Sequence, residues 1–532
     1  MKTLSDRLLE DAIVEKIWKR DPAAWNAAPG GADAQSIASR LGWLDVGHTM
    51  KPYMPTVHRL RGEVREAGFE AVYLLGMGGS SLCAEVLRSV FGVAEGFPEM
   101  FVLDTTDERT LTNAAGRLDP ARTLFIVASK SGGTVEVASM ERFFWARMSD
   151  ALGGDAGRHF VAITDPGTVL EKLAESRGYR EVFINPPDIG GRFSALSLFG
   201  LVPAALIGAP VDALLAGGAA MADGCRQHNH ANAGLELGAF IADAALEGRD
   251  KLTVALAPSF ASLGLWIEQL VAESTGKHGK GSLPVVDERL GRPDDYGADR
   301  AFVSIASESD EPDEEALAAL EEAGHPVLRL SMRHDGLGAE FFRWEFATAV
   351  AGAALGINPF DEPNVAEAKE KTRALLAAHA ASGRFDDQPA APSAAAVRDM
   401  LGSIRPGDYV AFLSYLPGES EIQSVLEEIR FELRARTKVA STFGLGPRYL
   451  HSTGQYHKGG PNTCVAFVLT ADDETETPIP EAGYSFAVLK RAQALGDVQA
   501  LEAHGRRVLR LHFKDADAAA AELRRIFTEA MA

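Results

Sequence analysis

The 532-residue sequence has few cysteines, no long uninterrupted apolar run and no excess of positive charge. Its three cysteines, Cys83, Cys225 and Cys464, form no CxxC pair and have no histidine neighbours at zinc spacing. This pattern argues against a disulfide framework and predicts buried, reduced thiols in a cytosolic protein. We therefore expect a cytoplasmic location.

The shortage of positive charge limits the possible partners. The chain has 53 Lys and Arg against 74 Asp and Glu, which gives a formal net charge of −21. Such an acidic surface repels polyanions, so we expect neither nucleic acid nor an anionic membrane as a general partner. An anionic small ligand would have to be met by locally placed cations.

No stretch is typical of a membrane span or a secretory leader. The most apolar stretch, ALSLFGLVPAALIGAPVDALL, is interrupted by Pro203, Pro210 and Asp212, which favours a buried core helix. The first 25 residues mix both charges through a helical pattern and lack the apolar segment of a signal peptide.

Strand-like apolar runs alternate with helical patterns along the chain, as in VYLLG followed by SLCAEVLRSVFG. Such alternation predicts βαβ units and parallel sheets. A second series opens near Asp250, and a third follows a stretch rich in Ala, Pro and Ser that is typical of a linker. The predicted divisions are an N-terminal helical segment (1–60), a first α/β module (61–235), a second (236–376), a linker (377–396) and a C-terminal α/β domain (397–532), which we call the third module.

Two strand-to-helix loops of the first module, GMGGSS (76–81) and SKSGGT (129–134), are rich in small and hydroxyl residues. Their backbone N–H groups, hydroxyls and following helix N-termini would favour a phosphate group. One such loop is weak support, because tight turns need glycine in any case, but two in one predicted sheet favour phosphate binding. The candidate ligands of the phosphate are Gly79, Ser80, Ser129, Lys130, Ser131 and Thr134.

A dinucleotide-binding loop is the alternative, because Gly76 and Gly78 begin a GxGxxG pattern and Asp104 ends the next strand-like run. However, Ser81 replaces the third glycine, and the acid follows Gly76 by 28 residues, whereas the pattern needs about 20. This interpretation also leaves the SKSGGT loop without a role. The sequence therefore disfavours a dinucleotide-dependent oxidoreductase.

A carboxylate ends a predicted helix in FASLGLWIEQLVAESTGK, whose apolar residues recur at the spacing of a half-buried helix before Gly276. Glu273, in the last turn, faces the negative end of the helix dipole, which tends to raise its pKa. It is either neutralised by Lys277 or able to take and return a proton near neutral pH. Gln269 lies four residues earlier, on the same helix face.

Two cations and two histidines are further candidates. Arg192 opens an apolar helix, so it either pairs with Asp188 or meets negative charge that develops in a reaction. Lys369 lies on a helix, where a lysine commonly pairs with a nearby glutamate, here Glu367 or Glu370. In the loop YLHSTGQYHKGGPNT, His451 and His457 could both transfer protons, since imidazole titrates near neutrality.

Taken together, GMGGSS, SKSGGT, GGRFSALSLFG, ESTGK and INPFDEPNVAEAK resemble, in the same order, the signature segments of glucose-6-phosphate isomerases. The resemblance covers residues 70–375 and is closest to the isomerase half of transaldolase/glucose-6-phosphate isomerase fusion proteins. It implies two sugar-isomerase (SIS) domains, each a parallel-sheet αβα sandwich, followed by a C-terminal α/β domain. It further implies a homodimer that interconverts glucose 6-phosphate and fructose 6-phosphate, in glycolysis and gluconeogenesis, without metal or cofactor.

The resemblance also implies the roles of individual residues. Glu273 matches the base that moves a proton between C1 and C2, and Arg192 matches the arginine that stabilises the enediolate. Lys369 and His457 match residues that open the sugar ring. The matching phosphate and substrate contacts are Gly79, Ser80, Ser129, Lys130, Ser131, Thr134 and Gln269.

The sequence departs from the family pattern at four places. Thr275 replaces a common Asn, SKSGGT replaces SKTFTT, and Glu362 replaces the Gln of the usual FDQ, which adds negative charge. The histidine loop follows Lys369 by 88 residues, with Tyr456 inserted between Gln and His, instead of lying shortly after the glutamate. The third module could thus replace the contribution of a partner subunit.

Two functional alternatives stay open within the family resemblance. A non-catalytic SIS protein that senses sugar phosphates would keep the hydroxyl-rich loops but would have no use for Glu273, Arg192 and Lys369 together. Mannose 6-phosphate could also be a second substrate.

Overall fold

A computed structural model describes residues 2–28, 30–387, 389–418 and 421–532. In these residues, thirteen strands form three separate sheets in which every strand pairing is parallel. The first sheet contains β1 (Ala71–Leu75), β2 (Glu99–Leu103), β3 (Thr123–Ala128), β4 (Phe160–Thr164) and β5 (Glu181–Ile184). The second contains β6 (Lys251–Leu256), β7 (Leu283–Val285), β8 (Arg300–Ala306) and β9 (Val327–Ser331), and the third contains β10 (Tyr409–Ser414), β11 (Ala440–Leu445), β12 (Cys464–Ala471) and β13 (Arg507–Phe513).

The predicted α/β class with parallel sheets is confirmed. The strand orders are β2-β1-β3-β4-β5, β7-β6-β8-β9 and β11-β10-β12-β13. In such sheets the order reverses beside the first strand, and ligands bind at the carboxyl ends of the strands on either side of that point. In the first sheet this point lies between β1 and β3, directly before the loops 76–81 and 129–134.

The helices fall into four groups along the chain. The N-terminal segment has α1 (Leu4–Glu10), α2 (Ile13–Trp18), α3 (Ala32–Ala38), α4 (Val46–Thr49) and α5 (Met54–Glu66). The first module has α6 (Leu82–Phe91), α7 (Glu108–Gly116), α8 (Val135–Leu152), α9 (Val169–Ser176), α10 (Leu198–Leu206), α11 (Val211–Gly224) and α12 (Ala233–Leu246). The second has α13 (Leu263–Thr275), α14 (Glu314–Glu322), α15 (Leu337–Leu355) and α16 (Val365–Ser382), and the third has α17 (Ala394–Gly402), α18 (Ile422–Thr437), α19 (Gly454–Gly459), α20 (Phe486–Ala503) and α21 (Ala519–Met531).

The most apolar stretch of the sequence forms α10, whose residues are all buried, and the start of α11. Across the described ranges, no helix combines the length and the hydropathy that crossing a bilayer requires.

The segment predicted as a linker begins inside α16, which continues to Ser382, and its last residues belong to α17. Residue 388 of that segment lies outside the described residues.

The third module covers α13, and this changes its environment. We expected a half-buried helix, but nearly every residue of α13 is buried. One core cluster joins Ala272 of α13 and Leu283 of β7 to Tyr409, Tyr449 and other residues of the third module. The face of α13 that the sequence pattern left polar is therefore an interface between modules.

A glutamate of α15 lies in an apolar, buried environment. Glu345 is 0% exposed, and neither of its carboxyl oxygens has a hydrogen-bond partner in the described part of the chain. Burial raises the pKa of Glu345 well above the usual 4.5. The carboxyl is therefore protonated in the folded protein, because an isolated ionised carboxylate is very costly in an apolar medium.

We expect Glu345→Met to stabilise the protein by about 1–3 kcal/mol at pH 8, since it removes a buried polar group without partners. The raised pKa means that the folded state keeps a proton that the unfolded chain releases above its pKa, so the cost grows as the pH rises. Chemical denaturation at pH 5 and pH 8 should show the larger gain at pH 8. The exposed Glu315→Met is the control. A stability gain of Glu345→Met that is no larger at pH 8 than at pH 5 would contradict the prediction.

Candidate active site

A cavity of about 360 Å³ lies at the carboxyl ends of β1 and β3. Its walls come from distant parts of the chain: the N-terminal segment, both strand-to-helix loops, α13, the start of α16 and the third module. The residues that line it include Arg40, Gly79, Ser80, Lys130, Ser131, Thr134, Arg192, Gln269, Glu273, Glu362, Lys369 and His451.

Glu273 is 7% exposed and lies beside a buried cation. Its Oε1 is 3.6 Å from Nη1 of Arg192, and its Oε2 accepts a hydrogen bond of 3.1 Å from Nε2 of Gln269. Burial raises the pKa of Glu273, and Arg192 opposes this shift. A raised pKa was predicted from the helix end, but the main cause is burial.

Lys277 does not neutralise Glu273. Its Nζ donates to Oδ1 of Asp361 at 2.7 Å and to the carbonyl of Asn358 at 2.6 Å. Burial lowers the pKa of Lys277 to about 7, and the nearby Arg192 adds to the shift. The lysine thus holds the turn that leads into α16.

Arg192 is 4% exposed and does not pair with Asp188. Its Nε donates to Oγ of Ser274 at 2.8 Å, and its Nη2 donates to the carbonyls of Pro359 and Asp361 at 2.7 and 2.9 Å. Its Nη1 donates to Oε2 of Glu362 at 3.0 Å. These bonds fix the guanidinium with one edge toward Glu273.

The approach of the first loop to Arg192 requires glycine. A Cβ atom on Gly79 would lie 2.0 Å from the carbonyl oxygen of Gly191 and 2.9 Å from the amide nitrogen of Arg192. No side chain fits at such distances, so this position brings the GMGGSS loop against the segment that carries Arg192.

The two hydroxyl-rich loops both reach the cavity, but their residues differ in placement. Ser80, Ser131 and Thr134 line it, and α8 begins next to Thr134, where the first-turn N–H groups of a helix lack intrahelical partners. Ser129 does not line the cavity; its Oγ is 3.1 Å from Oγ1 of Thr134. Lys130 is held by an ion pair with Asp165.

The structure brings His451, and not His457, to this cavity. His451 lines it, and Nε2 of its ring is 3.0 Å from Oε1 of Glu136. Its backbone carbonyl accepts a 2.7 Å hydrogen bond from Nε2 of Gln269. The imidazole is thus linked to both α8 and α13.

His457 lies inside the third module, on α19, where it is 1% exposed. Its Nδ1 is 2.8 Å from the hydroxyl of Tyr409, and its Nε2 has no partner among the residues described. Burial lowers the pKa of His457 to about 3. This ring is neutral and is not among the groups that line the cavity.

Glu136 is a candidate that the sequence analysis missed. It lies in the first turn of α8, is buried, and accepts a 2.7 Å hydrogen bond from Nε2 of Gln493. Although burial works in the opposite direction, His451 holds the pKa of Glu136 below its usual value. Its position two residues after Thr134, in a helix N-terminus beside the phosphate-type loop, is the sequence signal that could have identified it.

Lys369 lines the cavity from α16. Its expected partner Glu367 instead contacts Nε2 of His504 at 2.7 Å, and within the described ranges Lys369 forms no ion pair. An adjoining cavity of about 310 Å³ shares Lys369, Thr134 and His451 with the first. The ammonium group is therefore available to a ligand.

The negative charge of Glu362 is compensated by two arginines. Besides Arg192, Nη1 of Arg40 lies 3.0 Å from its carboxylate. Burial opposes the effect, but these guanidinium groups lower the pKa of Glu362. The departure from glutamine at this position is thus accompanied by a cation from the N-terminal segment.

Comparisons with known proteins agree with the resemblance in the sequence. The sequence model of the family described as Phosphoglucose isomerase matches residues 42–292. A glucose-6-phosphate isomerase of Rubrobacter xylanophilus is 29% identical over 365 residues, which cover 59% of this chain and 84% of that protein. A probable glucose-6-phosphate isomerase of Natronomonas pharaonis is 31% identical over 346 residues, which cover 58% of this chain and 79% of that protein.

A solved structure gives the same result for the fold. The crystal structure of a glucose-6-phosphate isomerase from Chlamydia trachomatis covers 70% of this chain and 85% of its own, with 20% identity and a TM-score of 0.56. The chain belongs to the phosphoglucose isomerase family. The family predicted from the sequence is confirmed, while the roles of its site residues stay predictions.

Proposed function

We propose that the protein is a glucose-6-phosphate isomerase, which interconverts glucose 6-phosphate and fructose 6-phosphate through an enediolate in glycolysis and gluconeogenesis. The observation that carries the proposal is the pair formed by Glu273 and Arg192, 3.6 Å apart in the cavity that the hydroxyl-rich loops also line. Membership of the family supports it. The proposed chemistry uses neither metal nor cofactor.

The phosphate of the substrate binds at the loops that follow β1 and β3. Ser80, Ser131 and Thr134 offer hydroxyls, and the N-terminus of α8 offers backbone N–H groups. Lys369 supplies a positive charge that forms no ion pair within the described part of the chain. Lys130 and Ser129 act indirectly, since the first is paired with Asp165 and the second contacts Thr134.

Ring opening precedes isomerisation, because the C2 proton is acidic only when C1 is a carbonyl. We assign this step to His451, whose imidazole lines the cavity and contacts the buried carboxylate of Glu136 at 3.0 Å. An imidazole with such a partner can move a proton between the ring oxygen and the C1 hydroxyl. Lys369, on the same cavity wall, assists.

Glu273 then abstracts the proton from C2 and returns it to C1. Burial raises its pKa, and a carboxyl with a raised pKa serves as base and as acid more evenly. Negative charge develops on the carbonyl oxygen, and the fixed guanidinium of Arg192 meets it without reorganisation. Gln269 orients the carboxylate through its 3.1 Å hydrogen bond.

We also propose a cytoplasmic homodimer. The three cysteines are free and buried, in keeping with a reducing compartment. Every group named above, including His451 of the third module, lies in one chain, and we propose that each site is complete within that chain. Dimerisation is therefore not needed for chemistry.

We expect Glu273→Gln to lower kcat for fructose 6-phosphate by about 10²–10⁴-fold, the usual contribution of a general base. A coupled assay of glucose 6-phosphate formation measures it. For the wild type, kcat/KM should fall on the acid side at a pH above the usual glutamate value of 4.5, because the base must be ionised and its pKa is raised. A variant within about tenfold of the wild type would remove Glu273 as the base, and an inactive wild type would favour the non-catalytic sensor.

The roles of the two histidines can be distinguished by measuring the ring-opening step. We expect His451→Asn to lower turnover of the cyclic substrate by about 10²-fold or more, because it removes the proton carrier. His457→Asn should keep kcat within about tenfold, since that ring does not line the cavity. Stopped-flow measurement of the turnover of the cyclic substrate by both variants, with circular dichroism as a folding check, decides the assignment. If His457→Asn loses activity and His451→Asn keeps it, His457 is the ring-opening residue.

Completeness of the site in one chain predicts a lack of complementation. Glu273→Gln and His451→Asn, co-expressed so that mixed dimers form, should give no more activity than the sum of the two variants. If a site drew on both chains, random mixing would restore about a quarter of the wild-type activity. Sedimentation velocity on the same samples measures whether the dimer forms.

A further inference from the structure

A second cavity, of about 440 Å³, lies against a different face of α13 from the candidate active site. Leu265 and Glu268 of α13 face this second cavity, whereas Gln269 and Glu273 face the catalytic one. The opposite wall comes from α18, the end of β11 and the turn at Arg448 in the third module. None of the groups assigned to the proposed chemistry lines it.

The ionisable groups without partners in this cavity are all acidic. Glu268 is 7% exposed, and in the described ranges its carboxylate forms neither a hydrogen bond nor an ion pair. The carboxylates of Asp287 and Glu427 line the same space, again with no partner among the described residues. The hydroxyl of Ser262, another lining residue, is also buried without a partner there.

The cations that face the cavity are already engaged. Arg448 makes a bidentate ion pair with Asp104, with both hydrogen bonds at 2.8 Å. Arg430 donates to Oγ and the carbonyl of Ser441 and to the carbonyls of Val286 and Asp287. An anionic ligand would thus meet three acidic side chains, while of the two lining arginines one is paired with Asp104 and the other is held by four neutral acceptors, which disfavours a phosphorylated sugar.

The spacing of the carboxylates argues against a bare metal ion. The described residues contain no group of three or more acidic or metal-binding side chains close enough to hold one. Apolar side chains, including Leu265, Val286, Leu426 and Phe443, fill the walls between the carboxylates. Such walls suit methylene groups, and an aromatic ring can also attract an ammonium group.

We infer that this cavity binds a small aliphatic amine, with 1,4-diaminobutane as the type of ligand, whose protonated amino groups pair with Glu268 and with Glu427. Burial and the neighbouring Asp287 raise the pKa of Glu268 to about 8. In the empty cavity the carboxyl therefore holds a proton at neutral pH. A bound ammonium group would supply the positive charge that lets this carboxylate ionise.

Calorimetric titration of the full chain tests the inference. At pH 7.5 and 150 mM salt, 1,4-diaminobutane should bind saturably, and butane-1,4-diol, which has the same length but no charge, should not. Saturating fructose 6-phosphate should leave the diamine binding in place, because the two cavities lie on different sides of α13. The titration measures binding alone, so its result does not depend on whether the protein is an active isomerase.

Variants complete the test. Glu268→Gln should weaken the diamine by at least about tenfold, the loss expected for one charge-assisted hydrogen bond. Glu427→Gln, at an exposed position of α18, should also weaken it and keeps the test valid if Glu268→Gln does not fold. Glu315→Gln, exposed on α14, removes the same charge elsewhere and should bind as the wild type. Absence of saturable diamine binding, equal binding of the diol, or unchanged affinity in both cavity variants would overturn the inference.

Discussion

The candidate active site depends on how one buried guanidinium is held. Arg192 is almost fully buried, so its donors need acceptors, and it obtains them from α13 through Ser274 and from the turn before α16 through two carbonyls and Glu362. Removing one partner of such a charge is costly, because the other is left unpaired in a medium of low dielectric. The distance between Arg192 and Glu273 is therefore fixed by three segments at once.

The turn before α16 is held in the same manner. Lys277 donates to the carbonyl of Asn358 and to Asp361, and Lys280 donates to the carbonyl of Leu355 at the end of α15. Arg40 donates to the carbonyl of Phe360 and to Glu362. Lys277 belongs to the ESTGK segment that carries Glu273. Glu273 and the turn that holds Arg192 are thereby tied together, so Lys277 has a structural role that does not depend on contact with a substrate.

Much of this arrangement could be predicted from the sequence, for identifiable reasons. The alternation of apolar runs with helical patterns predicts the parallel sheets, because buried parallel strands are short, continuous apolar runs. β11 does not follow this pattern, because Ser441 and Thr442 interrupt its apolar residues. The loops after β1 and β3 were recognisable from composition, and the order of their strands explains why they meet.

What the sequence could not predict concerns packing between modules. The pattern of α13 is that of a half-buried helix because its apolar face packs against α15 in the core, whereas its polar side chains face two cavities that the third module helps to enclose. Whether His451 or His457 faces the cavity depends on how the chain turns into α19, and both lie in one loop of the sequence. Glu136 has a signal in the sequence, its place just after Thr134 at the start of α8, but its contact with a residue 315 positions later is visible only in the structure.

The third module is joined to the first by contacts between residues that are very distant in sequence. Thr106 donates to Gln493, 387 positions later, and Gln493 in turn donates to Glu136 beside His451. A chain still missing its last sheet would hold the proposed base and phosphate loops but neither the imidazole nor the amide that orients its partner. Under the proposed mechanism, a nascent chain would therefore reach its full activity only after almost the whole polypeptide has left the ribosome.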